Sequence, residues 1–378
     1  MIPFNKAPYI GIEDQYIYKA IKYQKLSGDG YFNKKCEKWF EKKLKCKKAL
    51  LTPSCTAALE MCALLLDISN DDEIIMPSYT FVSTANAFVL RGAKIVYVDI
   101  QADTMNINAN KIEQAITDRT KAIVVVHYAG VACEMNKILK ITQKYNLVLI
   151  EDAAQAMMSS YKNKALGTIG DFGCYSFHET KNYTSGGEGG LLIINNQKFI
   201  QRAEIIKEKG TNRNAFFRGD VNKYSWVDLG SSYLMNEISA AYLWAQLKEV
   251  KTIHSYRLRL WKIYYKGLKK LEKTKNIKLP VITKKSLHNA HIFYIKTIKK
   301  EDRKYLLKHL KKNNIQASFH YIPLHSSIAG KKFGRFNGID MVTTTESEKL
   351  IRLPLFYGLK EKDIHYIIKV IKVFFNEK

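Results

Sequence analysis

Short apolar runs alternate with longer amphipathic stretches between about residue 47 and residue 200. The apolar runs have the length of strands: Glu73–Met76, Lys94–Ile100, Ala122–Tyr128, Leu147–Asp152, Gly173–His178 and Gly190–Ile194. The stretches between them have helix-like spacing of apolar residues: Thr56–Leu66, Ser83–Arg91, Ala109–Ile116 and Glu134–Lys144. This alternation predicts an α/β chain in which helices cover both faces of a mostly parallel sheet.

The pattern changes after Gln197. It is helical through Lys209 and then loop-like and aromatic, with Phe216, Phe217, Tyr224 and Trp226. One long helical stretch follows from Asn236 to Leu271, and beyond it strand and helix patterns alternate again: Asn289–Thr297 as strand, Arg303–Asn313 as helix and Glu361–Phe375 as helix. We therefore predict a large domain over residues 1–250 and a smaller C-terminal α/β domain over residues 251–378.

Length and composition place the chain among globular proteins. Its 378 residues suit two packed domains. Met1–Tyr9 lacks the apolar core of a secretory signal, and no run of 18 apolar residues occurs, so we expect a cytoplasmic chain. The six cysteines form no CxxC pair, and His288 and His291 have no flanking carboxylate ligand, so no metal site is expected.

The net charge of +26 raises the question of a nucleic-acid partner. Lysine supplies 51 of the positive charges and arginine only ten, and the lysines are scattered along the whole chain. Specific DNA readers depend on arginine for bidentate contacts to bases. The charge is therefore better explained by a solvated lysine-rich surface, which can still attract an anionic substrate. We expect neither a nucleic-acid nor a membrane partner.

Candidate chemistry follows the ends of the predicted strands, where α/β sheets bind ligands. Thr52–Leu59 leads from a short apolar segment into a helix, with Cys55 and Thr56 in the turn. Free backbone N–H groups at a helix start suit a phosphate, although an ordinary helix cap is the better explanation of this motif taken by itself. Phe81, at the end of Met76–Phe81, offers a face for stacking a ring, with core packing as the alternative.

Asp152 stands at the end of another apolar strand, three residues before Gln155. A carboxylate there can pair with a protonated pyridine nitrogen and keep a cofactor ring electron-poor. Capping of a helix is the alternative for this motif taken in isolation.

Lys181 follows a strand that also delivers Ser176 and His178, and the glycine-rich turn Gly186–Gly190 comes shortly after it. A lysine can form an imine with an aldehyde when its surroundings lower its pKa. Most of the 51 lysines are surface charges, but Lys181 occurs in a chain order that also supplies a phosphate cradle, a stacking aromatic and a ring acid. The combination is far more specific than any one part.

Two motifs carry a family resemblance. Ser-Phe-His-x-Thr-Lys at residues 176–181, followed by Gly-Glu-Gly-Gly, and Glu-Asp-Ala-Ala-Gln at residues 151–155 resemble the DegT/DnrJ/EryC1/StrS sugar aminotransferases. These are pyridoxal 5'-phosphate (PLP) enzymes of fold type I, and the resemblance covers essentially the whole chain. It implies catalytic roles for Lys181, which would bond PLP covalently, and for Asp152, which would pair with the pyridine nitrogen.

The same resemblance implies further contacts. Cys55, Thr56 and Ser176 would bind the phosphate, Phe81 would stack on the ring, and Gln155 would lie against the ring or its 3′-oxygen. His320 and Tyr321 would lie near the sugar nucleotide, and Arg213 is a candidate for its phosphates.

The family's active site lies at the interface of a homodimer, so the resemblance implies a homodimer here. An asparagine of the family reaches a phosphate in the partner subunit, and this chain has Ser232 at that position. A serine hydroxyl can replace the amide in such a contact.

Within the family, the chain is most similar to transaminases that make dTDP-4-amino-4,6-dideoxygalactose. The shared stretches are Lys207–Arg213, Tyr233–Glu237 and His320–His325. They imply amination of dTDP-4-keto-6-deoxyglucose by L-glutamate, for surface polysaccharides such as enterobacterial common antigen. Amination at carbon 3 of the sugar, or use of a UDP sugar, remains open.

Two functions of another kind are less compatible with these residues. Family members that dehydrate sugars carry histidine in place of the lysine, and Lys181 argues against that reaction. A catalytically silent regulatory or nucleic-acid-binding protein on this fold is the remote alternative, because fold alone would not demand both Lys181 and Asp152.

Overall fold

The computed structural model describes residues 1–376. Its helices are α1 (Glu13–Lys22), α2 (Tyr31–Leu44), α3 (Cys55–Leu65), α4 (Val82–Val89), α5 (Met135–Lys144), α6 (Ile200–Lys207), α7 (Arg213–Arg218), α8 (Glu237–Lys248), α9 (Val250–Lys273), α10 (Lys300–Lys312), α11 (Ile328–Phe333), α12 (Thr343–Ser347) and α13 (Glu361–Asn376). Its strands are β1 (Lys48–Thr52), β2 (Glu73–Pro77), β3 (Lys94–Val98), β4 (Thr120–Val126), β5 (Val148–Asp152), β6 (Ser160–Tyr161), β7 (Lys164–Ala165), β8 (Phe172–Ser176), β9 (Gly190–Ile194), β10 (Ile277–Lys278), β11 (Ser286–Leu287), β12 (Phe293–Thr297), β13 (Gly334–Phe336) and β14 (Leu350–Leu353).

The largest sheet has eight strands in the order β1-β9-β8-β5-β4-β2-β3-β13. The pairings from β8 across to β13 are all parallel, whereas β9 is antiparallel to both of its neighbours. Seven strands therefore share one direction and β9 opposes them. The predicted mostly parallel α/β sheet is confirmed.

Both faces of this sheet are buried, which is why its strands are continuous apolar runs. Side chains alternate along β2, so that Ile75 packs into one core while Ile74 and Met76 pack into the other. Helices α2, α5 and α8 cover the first face, and α3, α4 and α6 cover the second. Each buried aliphatic side chain contributes about 1.5–3 kcal/mol to the free energy of folding.

A second, antiparallel sheet has the order β10-β12-β14 and packs with α9, α10 and α13 around a separate core. The predicted boundary near residue 250 coincides with the start of α9. However, β13 returns to the edge of the large sheet and pairs with β3. The division into residues 1–250 and 251–378 therefore stays a prediction.

Several helix predictions need correction. The stretch from Asn236 to Leu271 forms two helices, α8 and α9, because Glu249 between them leaves helical geometry. Ala109–Ile116 forms two short 3₁₀ turns, Ala109–Lys111 and Glu113–Ala115, rather than an α-helix. No helix among residues 1–376 has the length and apolar character needed to cross a membrane.

Candidate active site

A cavity of about 520 Å³ lies at the carboxyl edge of the large sheet. It brings together most of the residues predicted from the sequence: Cys55, Thr56, Phe81, Asp152, Gln155, Ser176, Lys181, His320 and Tyr321. These residues come from the ends of β1, β2, β5 and β8 and from the segment before α11. Strand direction alone explains the first four contributions, because the carboxyl ends of parallel strands meet at one edge.

One wall of the cavity is the turn from β1 into α3. Ser54 caps the helix, its Oγ accepting a hydrogen bond of 3.0 Å from the backbone N–H of Ala57. The Thr56 hydroxyl donates to Ser83 Oγ at 2.9 Å. The first turn of a helix has N–H groups without intrahelical partners and carries positive dipole, so it can receive a phosphate.

Gly190 lets the neighbouring backbone approach this turn. A Cβ atom at residue 190 would lie 2.3 Å from the carbonyl carbon of Ser54 and 2.4 Å from the backbone nitrogen of Cys55. Both neighbours are backbone atoms that cannot move aside cheaply. Any side chain at residue 190 would therefore displace the turn that carries Cys55 and Thr56.

Adjacent carboxylates at the end of β5 have different partners because side chains alternate along a strand. Glu151 is fully buried and accepts hydrogen bonds from the backbone N–H groups of Gly167, Ile169 and Gly170 at 2.6–2.8 Å. Its carboxylate therefore holds a loop, whereas Asp152 lines the cavity.

Two hydrogen bonds fix the orientation of Asp152. Its Oδ2 accepts from the Thr84 hydroxyl at 2.7 Å, and its Oδ1 accepts from the backbone N–H of Ala154 at 3.1 Å. Thr84 is held in turn by Thr80, whose hydroxyl lies 2.8 Å away. An anchored carboxylate of this kind can hold a positively charged nitrogen in one position.

Lys181 follows β8 in a turn whose backbone N–H donates to the carbonyl of His178 at 2.9 Å. Within residues 1–376 its amine has no hydrogen-bond or ion-pair partner. Loss of water around the amine lowers the pKa of Lys181 and outweighs the nearby Cys55 and Asp152, which act to raise it. A neutral amine is consequently easier to reach here than on the protein surface.

The opposite wall comes from the segment Ser318–Tyr321. Gln155 Nε2 donates to the Tyr321 hydroxyl at 3.0 Å, while Gln155 Oε1 accepts from the backbone N–H of Ala129 at 2.7 Å. Phe81 lies near Tyr321, with ring centroids 6.2 Å apart. Gln155 and Phe81 thus both lie near Tyr321 and line the same cavity as Lys181 and Asp152.

His320 lies beside Tyr128, with its Nδ1 3.1 Å from the tyrosine hydroxyl. Burial and the positive charge of Arg352 hold the pKa of His320 well below its usual value. The imidazole is therefore neutral at physiological pH, and it can exchange hydrogen bonds with an uncharged group such as a sugar hydroxyl.

Two predicted residues do not line the cavity of this chain. Arg213 forms an ion pair of 3.2 Å with Glu208 and stacks against Phe217. Ser232 is exposed and forms an isolated bridge to the backbone of Glu208. Both belong to the same surface region.

The sequence reasoning missed Thr84, Arg352 and Phe4, which all line the cavity. Thr80 and Thr84 stand one helical turn apart at the start of a helix, and this spacing could have revealed the Thr84 contact. An arginine between apolar residues, Ile351 and Leu353, in the strand Leu350–Leu353 was a signal for a functional cation. No local sequence pattern connects Phe4 with Thr84 or Arg352.

The residues that line the cavity fit PLP. The capped turn at α3 suits the phosphate, Asp152 suits a basic ring nitrogen, and Lys181 suits an aldehyde. The missing Cβ of Gly190 leaves room for the phosphate turn, as described above. Within residues 1–376 no group of three or more His, Cys, Asp or Glu side chains is arranged to hold a metal ion.

Comparisons with known proteins agree with this chemistry. The family model for the DegT/DnrJ/EryC1/StrS aminotransferases matches residues 11–372. The uncharacterized protein MJ1066 of Methanocaldococcus jannaschii is 37% identical over 356 residues, which cover 91% of this chain and 90% of that protein. GDP-perosamine synthase of Escherichia coli O157:H7 is 30% identical over 379 residues, which cover 100% and 99%.

A solved structure of a sugar aminotransferase is also similar to this chain over its whole length. Spr1654 of Streptococcus pneumoniae in its PMP form has a TM-score of 0.90 and 26% identity, and the match covers 100% of each chain. The same protein has also been solved in a PLP form. This chain belongs to the DegT/DnrJ/EryC1/StrS aminotransferase family and is a PLP-dependent sugar aminotransferase.

Proposed function

We propose that this aminotransferase moves the amino group of L-glutamate to carbon 4 of dTDP-4-keto-6-deoxyglucose, which yields dTDP-4-amino-4,6-dideoxygalactose for surface polysaccharides. The observation that carries the proposal is the meeting of Lys181 and Asp152 in one cavity with the segment His320–Tyr321 as its far wall. The choice of sugar rests on the sequence similarity within Lys207–Arg213, Tyr233–Glu237 and His320–His325. One relative, GDP-perosamine synthase, is named for a nucleotide-linked product.

The cofactor would be held at four points. Its phosphate would bind at the start of α3, near Cys55, Thr56 and Ser176, and its ring would lie between Phe81 and the Gln155 side of the cavity. Asp152 would receive the ring nitrogen. Bound there, PLP supplies an aldehyde and an electron-poor ring that stabilises negative charge on the reacting carbon.

Lys181 would serve as the proton carrier. Once the amino group of glutamate has displaced it from PLP, the neutral amine of Lys181 would take the proton from the α-carbon of glutamate, and in the second half-reaction its protonated ammonium form would deliver a proton to carbon 4 of the sugar. The lowered pKa of Lys181 favours the neutral amine that the first transfer needs. Asp152, fixed by Thr84 and Ala154, keeps its negative charge directed at one position during both transfers.

Replacement of Lys181 by alanine should reduce transamination at least about 100-fold, since a positioned acid–base group contributes that much. The visible absorbance band of lysine-bound PLP should disappear, and borohydride should trap no PLP on the protein. Circular dichroism should report an unchanged fold. The exposed residue Lys198 provides the control, because Lys198→Ala should behave as wild type. PLP trapped on a different lysine of Lys181→Ala would show that the assignment is wrong.

The variant Asp152→Asn should still hold PLP on Lys181, because the side chain keeps its size and its contact with Thr84. It should nevertheless lose activity by about 100-fold or more, since an uncharged amide cannot keep the pyridine nitrogen protonated. Spectroscopic titration of PLP and steady-state rates separate the two effects. Near-normal turnover would remove Asp152 from this role.

The protein should be a homodimer with each active site at the interface. The region before α8 exposes large apolar side chains, with Phe217 68% and Trp226 79% accessible, and it also carries Ser232. Large apolar side chains exposed to this extent are typical of an interaction site. Light scattering should give twice the chain mass at assay concentration, and Trp226→Lys should weaken the assembly. An active monomer would refute the proposal.

A panel of keto-sugar nucleotides tests the substrate. We expect highest kcat/KM with dTDP-4-keto-6-deoxyglucose, and an axial amine at carbon 4 of the product, read by NMR. The face of carbon 4 that Lys181 can reach decides the stereochemistry, because that face receives the proton. Preference for the 3-keto isomer or for a UDP sugar would overturn the substrate assignment and leave the roles of Lys181 and Asp152 intact.

A further inference from the structure

Arg352 is a cation in the cavity with no assigned partner. It lies on β14, lines the cavity, and has a buried Nε atom that no hydrogen-bond acceptor meets. It takes part in no ion pair within residues 1–376. A buried donor without an acceptor is costly, and a guanidinium presents two parallel N–H groups that match a carboxylate or a phosphate.

Phe4 holds this guanidinium in place. The centre of the Arg352 guanidinium lies 4.7 Å from the centroid of the Phe4 ring, and Phe4 also lines the cavity. A guanidinium stacked on a ring keeps its N–H edge free for an anion.

The N-terminal segment that carries Phe4 is fixed to the small domain. Ile2 exchanges backbone hydrogen bonds with Asn314 and Gln316 at 2.7 and 3.0 Å, and the Phe4 N–H donates to Gln316 Oε1 at 3.1 Å. Phe4 is therefore placed by an ordered contact and not by a free chain end.

Position separates Arg352 from the phosphate turn. Its charge acts on His320, Tyr321 and Lys181, whereas the charged groups that act on Cys55 at the start of α3 are Asp152 and Lys181. In an amino acid the carboxylate is attached to the same carbon that gives its proton to Lys181. In a sugar nucleotide the phosphates lie at least the width of a sugar ring from the reacting carbon, and so farther from Lys181.

We infer that the stacked pair Phe4–Arg352 is the receptor for the α-carboxylate of the amino donor, with Arg352 binding the carboxylate and Phe4 as a positioning residue. The inference rests on the proposed function, in which an amino acid supplies the amine. The keto sugar has no carboxylate at its reacting carbon, so Arg352 should matter far more in the first half-reaction than in the second.

The two half-reactions are measured separately with the PLP-loaded enzyme. Absorbance follows conversion by L-glutamate, and the reverse change follows conversion of the aminated enzyme by the keto sugar. Arg352→Met should lower kcat/KM for L-glutamate about 10- to 100-fold, the loss expected of a charge-assisted bidentate contact. Arg352→Lys should recover part of the lost kcat/KM. In both variants the kcat/KM of the sugar half-reaction should change less than about 2-fold.

Arg259 offers a matched control. Its guanidinium lies 5.0 Å from the ring centroid of Tyr256 and is paired with Glu361, outside the cavity. Arg259→Met removes an arginine stacked on a ring without touching the site. It should leave both half-reactions unchanged.

Phe4 has its own test. In Phe4→Leu the guanidinium loses its stacking face, so the KM for L-glutamate should rise several-fold while kcat is retained. Phe4→Tyr restores a ring and should recover the wild-type KM. An equal fall of kcat in both half-reactions would indicate a general structural role and would count against the inference for Phe4.

Calorimetric titration of glutarate, a dicarboxylate without an amine, gives a readout apart from turnover. Its affinity should fall in Arg352→Met and Phe4→Leu and stay unchanged in Arg259→Met. Two results would overturn the inference and assign Arg352 to the nucleotide phosphates. One is unchanged glutarate binding in Arg352→Met, and the other is a loss of activity confined to the sugar half-reaction. If no amino acid converts the wild-type enzyme, the proposed donor fails, and glutarate binding still decides for or against Arg352.

Discussion

The active site depends on strand direction in the large sheet. Seven strands share one direction, so the turns after β1, β2, β5 and β8 meet at one edge. The reversed strand β9 begins at that edge, where Gly190 pairs with both Thr52 and Ser176. A residue without a side chain therefore stands between the phosphate turn and the strand that leads to Lys181. With β9 in the other direction, Ile194 would occupy that place.

Electrostatics in the cavity follow from this arrangement. Lys181 and Arg352 are the lysine and arginine among the cavity-lining residues, and Asp152 and Glu188 are the carboxylates. Loss of water and the charge of Arg352 lower the pKa of Lys181, while Asp152 acts in the opposite sense. Because protonation is lost as the pH rises through a lowered pKa, the neutral amine is present at lower pH than on a surface lysine. Asp152 also keeps two hydrogen bonds, so its charge is held in a fixed orientation.

Local patterns in the sequence predicted much of this structure. Of the strands that end at the site, β2, β5 and β8 were located within two residues, because continuous apolar runs mark strands buried on both faces, whereas β1 was not predicted as a strand. Lys181 and Asp152 were placed together because strand ends converge. The two N-terminal helices α1 and α2 were not predicted. Both are anchored by contacts between distant segments: Glu13 of α1 accepts a hydrogen bond of 2.5 Å from Gln246, and Lys207 lies 2.8 Å from both Glu37 of α2 and Asp29 before it.

Contacts between residues that are far apart in the chain leave no local pattern in the sequence. The pairing of β13 with β3 joins residues about 240 positions apart, and the stacking of Phe4 on Arg352 joins the two ends of the chain. For Arg213 and Ser232 the sequence of one chain is not enough to predict a role, since neither residue lies in the cavity of its own chain. A role for them requires a second copy, whose geometry no pattern within one chain specifies.

The wall that faces the phosphate turn links the two halves of the reaction. Gln155 joins the end of β5 to Tyr321, and Tyr128 joins the end of β4 to His320, so the large sheet holds the segment next to Arg352 directly. A ping-pong enzyme must accept an amino acid and a sugar in turn within this one space. With the carboxylate role inferred above, the guanidinium would have a carboxylate partner in only one of the two states. Arg352 is half-buried as a residue although its Nε atom is buried without an acceptor, so water can reach part of the side chain when the sugar is bound and lessens, without removing, the cost of an unpaired cation.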